Sequence, residues 1–436
     1  MSLVPFLMSF LASREKLPIS TVTSAGATNN LILPAALTPF DPLCSCAAQC
    51  LYVLTDDNPF AIDELRTNAA YTACLLSLID TNPQPNEKGK DIADDRVTTL
   101  RVLCCGIMRN IYPIPPPSIA ATVDVDRELV LPVLTPALSL VSLQEASQRA
   151  QELVAQEETV PAFEKLSVQH TPKSDHKSAA EADLERIENK LRTVRLALEI
   201  LTGVCATLPD PEPQLPHGDA DPSHDVQDHD MEDGDEDGSD DDEMDLNEQG
   251  PPVNGTPNSS SSFLPPLVAP LLELILPTPF SFPPITGQSQ HPPTTSALSS
   301  IHICALECLN NIFLSLAAPA RSQHPSPSAA AIGTDVDSGL KVWNELWKML
   351  SAVGTELGGP GQEPRRELWQ LGVGVLWGVA EVWKGSLTPN DEQIQVLIQF
   401  YNSSEDDVVK VKCLGTLECL AQHPHSIEAN RVCTPD

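Results

Sequence analysis

Aromatic side chains are scarce in this chain, at 4% of its 436 residues. β-Rich domains depend on aromatic and β-branched residues to fill the space between strands, so this composition argues against a β-sandwich. The chain has 41 prolines, above the usual share of about 5%, but 41% of its residues are apolar, too many for a fully disordered protein. At this length we expect several domains or one elongated array.

Basic residues are also few. Lys and Arg total 26 against 60 Asp and Glu, which gives a formal net charge of −34. A chain with this charge repels phosphate backbones and anionic membrane surfaces. The charge therefore predicts no direct nucleic acid and no membrane as partner, and favours a basic protein instead.

Motifs that carry catalysis or bind metals are missing. The sequence has no nucleophile elbow, Walker loop, HExxH or GxGxxG, and its cysteines form no CxxC pair of a zinc site or a secreted framework. His302, Cys304 and Cys308 come nearest to a zinc set, but their spacing does not bring them to one helix face, so we interpret them as core residues. We therefore expect no enzyme activity, no catalytic residue, and no metal or other cofactor.

No targeting or membrane-spanning segment is evident. The apolar start of the chain has no basic residue before Arg14, unlike a signal peptide. The apolar stretch 264–285 contains several prolines and Glu273, which argues against a membrane span. Most cysteines, Cys46 and Cys50 included, fall in apolar runs and are predicted to be small core residues. These features predict a reduced, soluble protein of the cytosol or nucleus.

Apolar residues recur with helical spacing through most of the chain, and no run alternates as a strand. The predicted helices span residues 43–54, 60–80, 94–111, 126–156, 181–207, 264–276, 298–317, 337–353, 365–384, 390–402 and 405–421. Asp41 followed by Pro42 is a typical helix start, with an N-cap and then proline at the first helical position.

A short pattern, close to Ala-Leu-Glu-Cys-Leu, recurs in several of these helices. Its copies begin at Ala47, Ala197, Ala305 and Thr416, and a weaker one begins at Arg101. Successive copies are 54, 96, 108 and 111 residues apart. These distances are about one or two units of roughly 50 residues, near the HEAT/armadillo period of about 40–47 once insertions are allowed. The pattern therefore predicts an α-solenoid.

The last repeat is the clearest. Residues 393–401 are predicted to form one helix, and residues 402–404 turn the chain into a second. Gly415 is expected to allow close helix contact. Because solenoid units bury their apolar faces against their neighbours, we predict a buried stripe on the second helix, made of Val408, Val411, Leu414, Leu417 and Leu420.

The segment from Asp219 to Glu248 is densely acidic and contains no Lys or Arg. Such a segment cannot fold alone and repels itself into an extended loop. Two interpretations stay open, a docking loop for a basic protein and a solubilising spacer. The candidate cargo-binding residues are Asp225, Asp228, Asp230, Glu232, Asp233, Asp235, Glu236, Asp237, Asp240, Asp241, Asp242, Glu243 and Asp245, and Asp219, Asp221 and Glu248 complete the sixteen acidic residues.

Calcium binding is an alternative for part of this segment. Residues 233–238 match the first half of an EF-hand loop. The twelfth position, however, is Met244, and Glu243 comes one residue early, so the bidentate ligand is misplaced. We do not predict a calcium site.

Five tryptophans occur close together in a chain that has few aromatic residues. They could anchor a peptide in a groove, but a helix as apolar as residues 368–383 is more often buried between neighbours. We predict that they are mainly core residues. The five are Trp343, Trp347, Trp369, Trp377 and Trp383.

Four stretches carry a family resemblance. They are Leu-Ala-Leu-Glu-Ile-Leu-Thr at 196–202, before the acidic tract; Val-Leu-Trp-Gly-Val-Ala at 375–380; Val-Lys-Cys-Leu-Gly-Thr-Leu-Glu-Cys-Leu-Ala-Gln at 411–422; and Ser-Ile-Glu-Ala-Asn at 426–430. In sequence and order they resemble the symportins, the fungal synchronized-import adaptors, and their animal HEAT-repeat relatives. The resemblance spans most of residues 40–430.

The resemblance implies an all-α fold, an armadillo/HEAT-like α-solenoid of antiparallel helix pairs with a long acidic insertion. It also implies an adaptor that escorts two basic 5S-rRNA-binding ribosomal proteins of the large subunit into the nucleus, and so shuttles between cytoplasm and nucleus. In the family a groove takes an extended ribosomal-protein segment, and the acidic loop contributes to binding. That loop carries over as residues 219–248, whereas no individual groove residue carries over.

Symportins begin with a basic import signal and further repeats, and they continue beyond the point that corresponds to Asp436. We therefore expect this chain to be incomplete at both ends, with the signal for an import receptor missing. Two other functions stay open. One is a general importin-like transport receptor that engages the Ran GTPase, and the other is a non-catalytic scaffold with a solubilising acidic loop.

Together these features predict five parts. N-terminal repeats occupy residues 1–207, the acidic loop 208–262, further HEAT-like helices 263–318, a linker 319–336, and C-terminal repeats 337–436.

Overall fold

The computed structural model of the chain describes residues 3–12, 42–80, 91–159, 178–207, 265–285, 287–320, 332–359, 361–388 and 390–426. Within these ranges the protein is built of helices and contains no strand. The predicted all-α solenoid is confirmed. The predicted acidic loop, 208–262, lies outside the described residues, and the division into five parts stays a prediction.

The helices are numbered here in chain order. The first group is α1 (Val4–Ala12), α2 (Pro42–Asp56), α3 (Pro59–Thr67), α4 (Ala69–Asp80), α5 (Asp91–Asn110), α6 (Leu131–Ala137), α7 (Leu143–Thr159) and α8 (Ala179–Thr207). The second group is α9 (Val268–Leu274), α10 (Pro292–Ala320), α11 (Val336–Val353), α12 (Glu363–Val382), α13 (Asp391–Ser403) and α14 (Asp407–Ala421).

Side-chain caps define where several helices begin. The long helix α8 begins with a capping box, in which Ser178 Oγ accepts from the Glu181 amide and Glu181 Oε2 accepts from the Ser178 amide, both at 2.9 Å. Asn390 and Asp406 cap α13 and α14 through their side-chain oxygens. The turn between these two helices is fixed by Asp406 on one side and, on the other, by the Ser404 amide, which donates to the Phe400 carbonyl at 3.0 Å.

The predictions of two helices were wrong, because in the structure each of these stretches is interrupted and forms more than one helix. Residues 60–80 divide into α3 and α4 at Asn68, whose backbone is extended and whose Oδ1 accepts from the Ala70 amide at 3.1 Å. Residues 126–156 divide into a π turn at 125–130, then α6 and α7. Proline lacks an amide hydrogen, so Pro132 and Pro136 weaken the helical hydrogen bonding at this break.

Six of the helices, α2, α5, α8, α10, α12 and α14, pack side by side in that order. In the first half of this layer, Asn110 Nδ2 of α5 donates to Thr55 Oγ1 of α2 at 3.3 Å. Between α5 and α8, the hydroxyls of Thr99 and Thr193 are 2.7 Å apart. Between α8 and α10, Asn311 Nδ2 donates to the Thr202 carbonyl at 3.0 Å.

The second half of the layer continues in the same sense. On α12, Gly374 lies against Asn310 of α10, and Gly378 lies against Phe313 one turn further along. On α14, Cys419 Sγ contacts Glu381 Oε1 of α12 at 3.5 Å. Later residues of one helix meet later residues of the next at each interface, so the six helices are parallel. This is the arrangement expected for equivalent helices of a solenoid.

The recurring five-residue pattern marks the stacking positions of this layer. Its first residues Ala47, Ala197 and Ala305 are all buried between neighbouring helices. The copies on α2, α5, α8 and α10 lie at similar heights, whereas the copy on α14 meets the C-terminal end of α12. The pattern was therefore a correct indicator of repeats, although its last copy is displaced along the stack.

Gly415 makes the close contact predicted for it, because a Cβ atom at this position would collide with the indole of Trp377 on α12. Gly106 of α5 is similar. A Cβ atom there would lie 2.5 Å from the ring of Tyr52 on α2 and 2.9 Å from Ile200 on α8. Both glycines allow a neighbouring helix to approach more closely than any other residue would.

The predicted buried stripe on α14 was largely wrong. Val408, Val411 and Leu414 are 63%, 56% and 51% exposed. The face that packs against α12 and α13 instead carries Val409, Cys413, Thr416, Cys419 and Leu420. Helical spacing alone does not reveal which of two apolar stripes is covered, and within the described residues the main contacts of α14 are with α12 and α13.

One continuous apolar core runs from Val4 in α1 to Leu420 in α14. Helix α10 lies in its middle, between α8 and α12. Its residues Pro292–Ala318 are long and apolar enough to cross a membrane by length and composition, but 56% of the most apolar window is buried within the fold. This burial is the pattern of a core helix.

Gly106→Ala tests the close packing of the layer. We expect it to lower the free energy of unfolding by about 2 kcal/mol, because overpacking costs roughly 1–3 kcal/mol and exceeds the gain in helix propensity. Urea denaturation measures the change. Gly358→Ala is the control, since a Cβ atom there meets nothing within 4 Å. A Gly106→Ala protein as stable as the original chain would show that α2 and α8 do not pack this closely against α5.

Candidate functional site

Three glutamates from three consecutive helices of the layer approach one another. Glu199 lies on α8, Glu307 on α10 and Glu367 on α12, and Glu307 interacts electrostatically with both of the others. Glu199 and Glu307 occupy the third position of the recurring pattern on their helices. We call these three residues the carboxylate cluster.

Glu307 is the central member of the carboxylate cluster. The described residues give Glu199 a hydrogen bond from Arg195 Nε at 2.7 Å, but they provide no ion pair for Glu307 or Glu367. Partial burial raises the pKa of Glu307, and repulsion from Glu367 and then from Glu199 raises it further. A carboxylate under these conditions gains from a cation brought by a partner.

Further along the same interface, α10, α12 and α14 meet around a glycine. Lys412 Nζ of α14 and Asn310 Oδ1 of α10 both lie about 3 Å from where a Cβ atom of Gly374 would be. Asn310 Oδ1 is buried and has no hydrogen-bond partner within the described part of the chain. Of these groups only the carboxylates of the cluster are open to a partner, and as hydrogen-bond acceptors they suit the N–H groups of a basic peptide.

Four of the five tryptophans are core residues, as predicted. Trp343, Trp347, Trp369 and Trp383 are at most 7% exposed. Trp383 Nε1 donates to the carbonyls of Ile332 and Asp335 at 3.1 and 3.0 Å, which fixes its ring. Trp377 differs, because it is only partly buried and its ring covers Gly415 at the surface between α12 and α14.

The interpretation of His302 as a core residue agrees with its surroundings. The imidazole is fully buried, with Nδ1 2.6 Å from the Leu274 carbonyl and Nε2 2.7 Å from Ser281 Oγ. Burial lowers the pKa of His302 to about 4. Within the described residues no group of His, Cys, Asp and Glu side chains could hold a metal ion.

The cysteines are buried in most helices, but not in all. Cys46 and Cys50 are exposed on α2, which contradicts their prediction as core residues. They lie one turn apart on α2, and Cys46 lines a cleft that α5 and α8 also border. Cys205 and Cys308, in contrast, are buried together between α8 and α10.

The predicted cargo-binding residues, Asp225 through Asp245, lie outside the described residues, so no contact is assigned to them. The carboxylate cluster was not predicted. Its signal was the glutamate shared by three copies of the recurring pattern, Glu199, Glu307 and Glu418, which identified a repeat but not a surface. Only the sideways packing of α8, α10 and α12 shows that these glutamates come together.

Comparison with known proteins gives one match. Residues 264–434 match the model of a family described as SYO1-like, TPR repeats. No curated protein and no solved structure matches the chain. The family description names TPR repeats where the sequence predicted armadillo/HEAT repeats. Both are helix-pair solenoids, and the matched range covers α9 to α14.

Glu307→Gln should raise the stability of the protein at pH 7. The raised pKa of Glu307 means that the folded chain holds this proton to a higher pH than the unfolded chain does. Stability contributed by this group therefore falls as the pH rises from the unfolded glutamate pKa, about 4.3, through the folded pKa. The gain in stability from Glu307→Gln should be complete at pH values above that interval and absent at pH values below it.

Urea denaturation at pH 7 and pH 3.5 measures this difference, with Glu405→Gln, an exposed position in the turn before α14, as the control. An identical effect of Glu307→Gln at the two pH values would contradict the assigned environment.

Proposed function

We propose, from the match of residues 264–434 to a family described as SYO1-like, TPR repeats, that the chain is an adaptor and dedicated chaperone for basic ribosomal proteins of the large subunit. Its cargo in this proposal is the pair of ribosomal proteins that binds 5S rRNA. The protein acts by binding and not by catalysis, needs no cofactor, and accompanies its cargo between cytoplasm and nucleus.

The carboxylate cluster is the observation that carries the proposal. Glu307 and Glu367 have no ion pair within the described residues, and partial burial, followed by repulsion from Glu367 and Glu199, raises the pKa of Glu307. An arginine or lysine of a cargo protein would remove this repulsion and form a charge-assisted hydrogen bond. The chain thus has a favourable position for a basic side chain on a surface shared by three repeats.

The overall charge supports the same class of partner. A formal charge of −34 attracts a basic protein over a distance, and the sixteen carboxylates between Asp219 and Glu248 are the densest part of that charge. Distributed charge of this kind acts mainly on the rate of association. In the proposal the acidic segment captures cargo, and the helical layer holds it.

Replacement of residues 219–248 by a Ser/Gly segment of equal length tests the acidic segment. The change takes the formal charge from −34 to −18 and keeps the length of the connection. We expect association with the basic ribosomal proteins to slow, because the neutral loop no longer attracts them. The salt dependence of binding should also decrease, because the loop has no charge for salt ions to screen. Stopped-flow or surface-binding kinetics at several salt concentrations measure both effects. Unchanged affinity and salt slope would favour a scaffold whose loop is only a spacer.

Glu307→Gln combined with Glu367→Gln tests the carboxylate cluster. We expect about tenfold weaker cargo binding or more, because a hydrogen bond to a charged group contributes roughly 1.5–3 kcal/mol. Glu356→Gln combined with Glu405→Gln is the matched control, with the same change in charge at exposed positions outside the layer. Isothermal titration with the two ribosomal proteins measures the difference. Equal losses in the two double variants would mean that only net charge matters. Binding to Ran by the unmodified chain would instead favour a general transport receptor.

A further inference from the structure

The turn between α13 and α14 carries a serine with an unusual sequence around it. Ser404 is followed directly by Glu405, Asp406 and Asp407. Elsewhere in the 436 residues, only Ser239 is followed by three consecutive acidic residues. We call residues 404–407 the acidic turn.

The acidic turn is accessible at the surface. Its three acidic residues are exposed, and Ser404 is half-buried. Ser404 Oγ makes only local hydrogen bonds, since it accepts from the Asp406 amide at 3.2 Å and donates to the Asp406 carbonyl at 3.5 Å. A turn held by such short-range bonds opens locally at a lower free energy than a buried helix does. The hydroxyl of Ser404 can therefore be presented to an enzyme.

We propose that Ser404 is a phosphorylation site for a protein kinase that selects acidic substrates. A kinase of this class binds the residues after the serine with a basic surface, and the three carboxylates of the acidic turn supply the complementary charge. In the reaction Ser404 Oγ forms a bond to the γ-phosphorus of ATP, and the bond between that phosphorus and the bridging oxygen breaks. ADP leaves, and the hydroxyl proton passes to a carboxylate of the kinase.

A cation lies beside this serine. Ser404 lines a cavity of about 580 Å³ between α12, α13 and the loop that precedes α12, and Arg366 of α12 lines the same cavity. Within the described residues the Arg366 guanidinium makes one hydrogen bond, from Nη2 to the Leu357 carbonyl at 3.2 Å, and no ion pair. A guanidinium has five N–H donors, so most of them are available to phosphate oxygens.

Two carboxylates also border this cavity, but neither replaces the phosphate at Arg366. Asp406 Oδ1 accepts from the Val408 amide at 2.8 Å, as the cap of α14. Glu405 is exposed, so salt screens its charge. Among the described residues that line the cavity, Arg366 is the one cation. A phosphate carries about −1.5 to −2 charges at pH 7 and binds arginine strongly, so phosphorylation should link the acidic turn to α12.

This inference goes beyond the proposed function and does not depend on it, because it requires no cargo protein. Incubation of the full chain with ATP and a purified kinase tests the site, with peptide mass spectrometry to measure phosphate on each serine. The kinase is an acidophilic serine kinase already shown to phosphorylate peptides with three acidic residues after the serine. Ser239 is the internal reference, because it has the same sequence pattern.

We expect Ser404 to be phosphorylated in the full chain. Glu405→Gln combined with Asp407→Asn should lower the initial rate at Ser404 by about fivefold or more, because charge complementarity to the kinase is lost. The rate at Ser239 should not change. The cap of α14 is kept in this variant, since Asp406 is not replaced.

Three results would overturn the proposal. If Ser404 stays unmodified in the full chain, the folded turn is not a substrate, and phosphate on Ser239 shows that the kinase was active. Phosphate on Ser403 in place of Ser404 would mean that the assigned residue is wrong. An equal rate at Ser404 in the original chain and in the double variant would mean that the acidic residues do not direct the kinase.

Hydrogen exchange tests the contact with Arg366, in a chain that carries Ser239→Ala and is phosphorylated at Ser404. We expect the backbone amides of residues 404–410 to exchange about threefold more slowly, or slower still, than in the unphosphorylated chain, because the phosphate holds the turn against α12. Arg366→Gln should remove this protection. Arg127→Gln, the same change at an exposed arginine outside the cavity, should keep it.

Two results would contradict the contact with Arg366. Equal protection in the phosphorylated Arg366→Gln chain would mean that the phosphate acts only on the N-terminus of α14. Exchange that phosphorylation does not slow in any of these proteins would mean that the phosphate stays in solvent and does not link the turn to α12.

Discussion

Close approach of parallel helices is the constraint on which the rest of this structure depends. The layer forms because a small residue at an interface gives space to a larger side chain from the next helix. Gly106 accepts Tyr52, Gly378 accepts Phe313 and Gly415 accepts Trp377. Between α8 and α10 the same purpose is served by Thr202 and Cys308, which contact each other. Bulkier residues at these points would separate the helices and expose the core between them.

The same closeness produces the electrostatics of the surface. Helices packed this closely bring side chains from different repeats within range of one another. Glu199, Glu307 and Glu367 are far apart in the sequence, yet Glu307 experiences both of the others. The fold therefore keeps like charges together at some cost in stability, which is common where a surface is adapted to a ligand of opposite charge.

Charges of both signs share the N-terminal two thirds of α8. Arg186, Lys190, Arg192 and Arg195 lie there among Glu181, Asp183, Glu185 and Glu188, and Glu199 follows one turn after Arg195. After Arg195 no basic residue occurs before Arg321. This helix thus borders a cleft that arginines and carboxylates line together, and Glu199, which pairs with Arg195, lies both at this cleft and in the carboxylate cluster.

The helical fold could be predicted from the sequence because a helix that buries one face has apolar residues at helical spacing, and this spacing is present in every repeat. Gly415 could also be predicted, since a glycine inside an apolar helix lowers helix propensity and is usually kept there for close packing. The break at Asn68 could not, because an asparagine within helical spacing does not show whether its side chain will cap a new helix. The exposure of Val408, Val411 and Leu414 could not be predicted either, because it depends on which other helices pack against α14.

The carboxylate cluster was beyond sequence reasoning for a related reason. Its members come together through the sideways register of α8, α10 and α12, and that register depends on insertions of unequal length between the repeats. Copies of the recurring pattern are 54, 96, 108 and 111 residues apart, so no fixed period relates Glu199 to Glu307 or Glu367. The acidic segment, in contrast, is evident from composition alone.

The parallel layer has a consequence for how the protein unfolds. Each layer helix makes most of its contacts with its immediate neighbours in the stack, so the stability of the array is close to a sum of interface terms, as in a one-dimensional chain of coupled units. Weakening an interface at either end frays one repeat, whereas weakening the α10–α12 interface divides the molecule into two blocks that melt separately. The cooperativity of the whole therefore depends on Gly374 and Gly378, which make the α10–α12 contact.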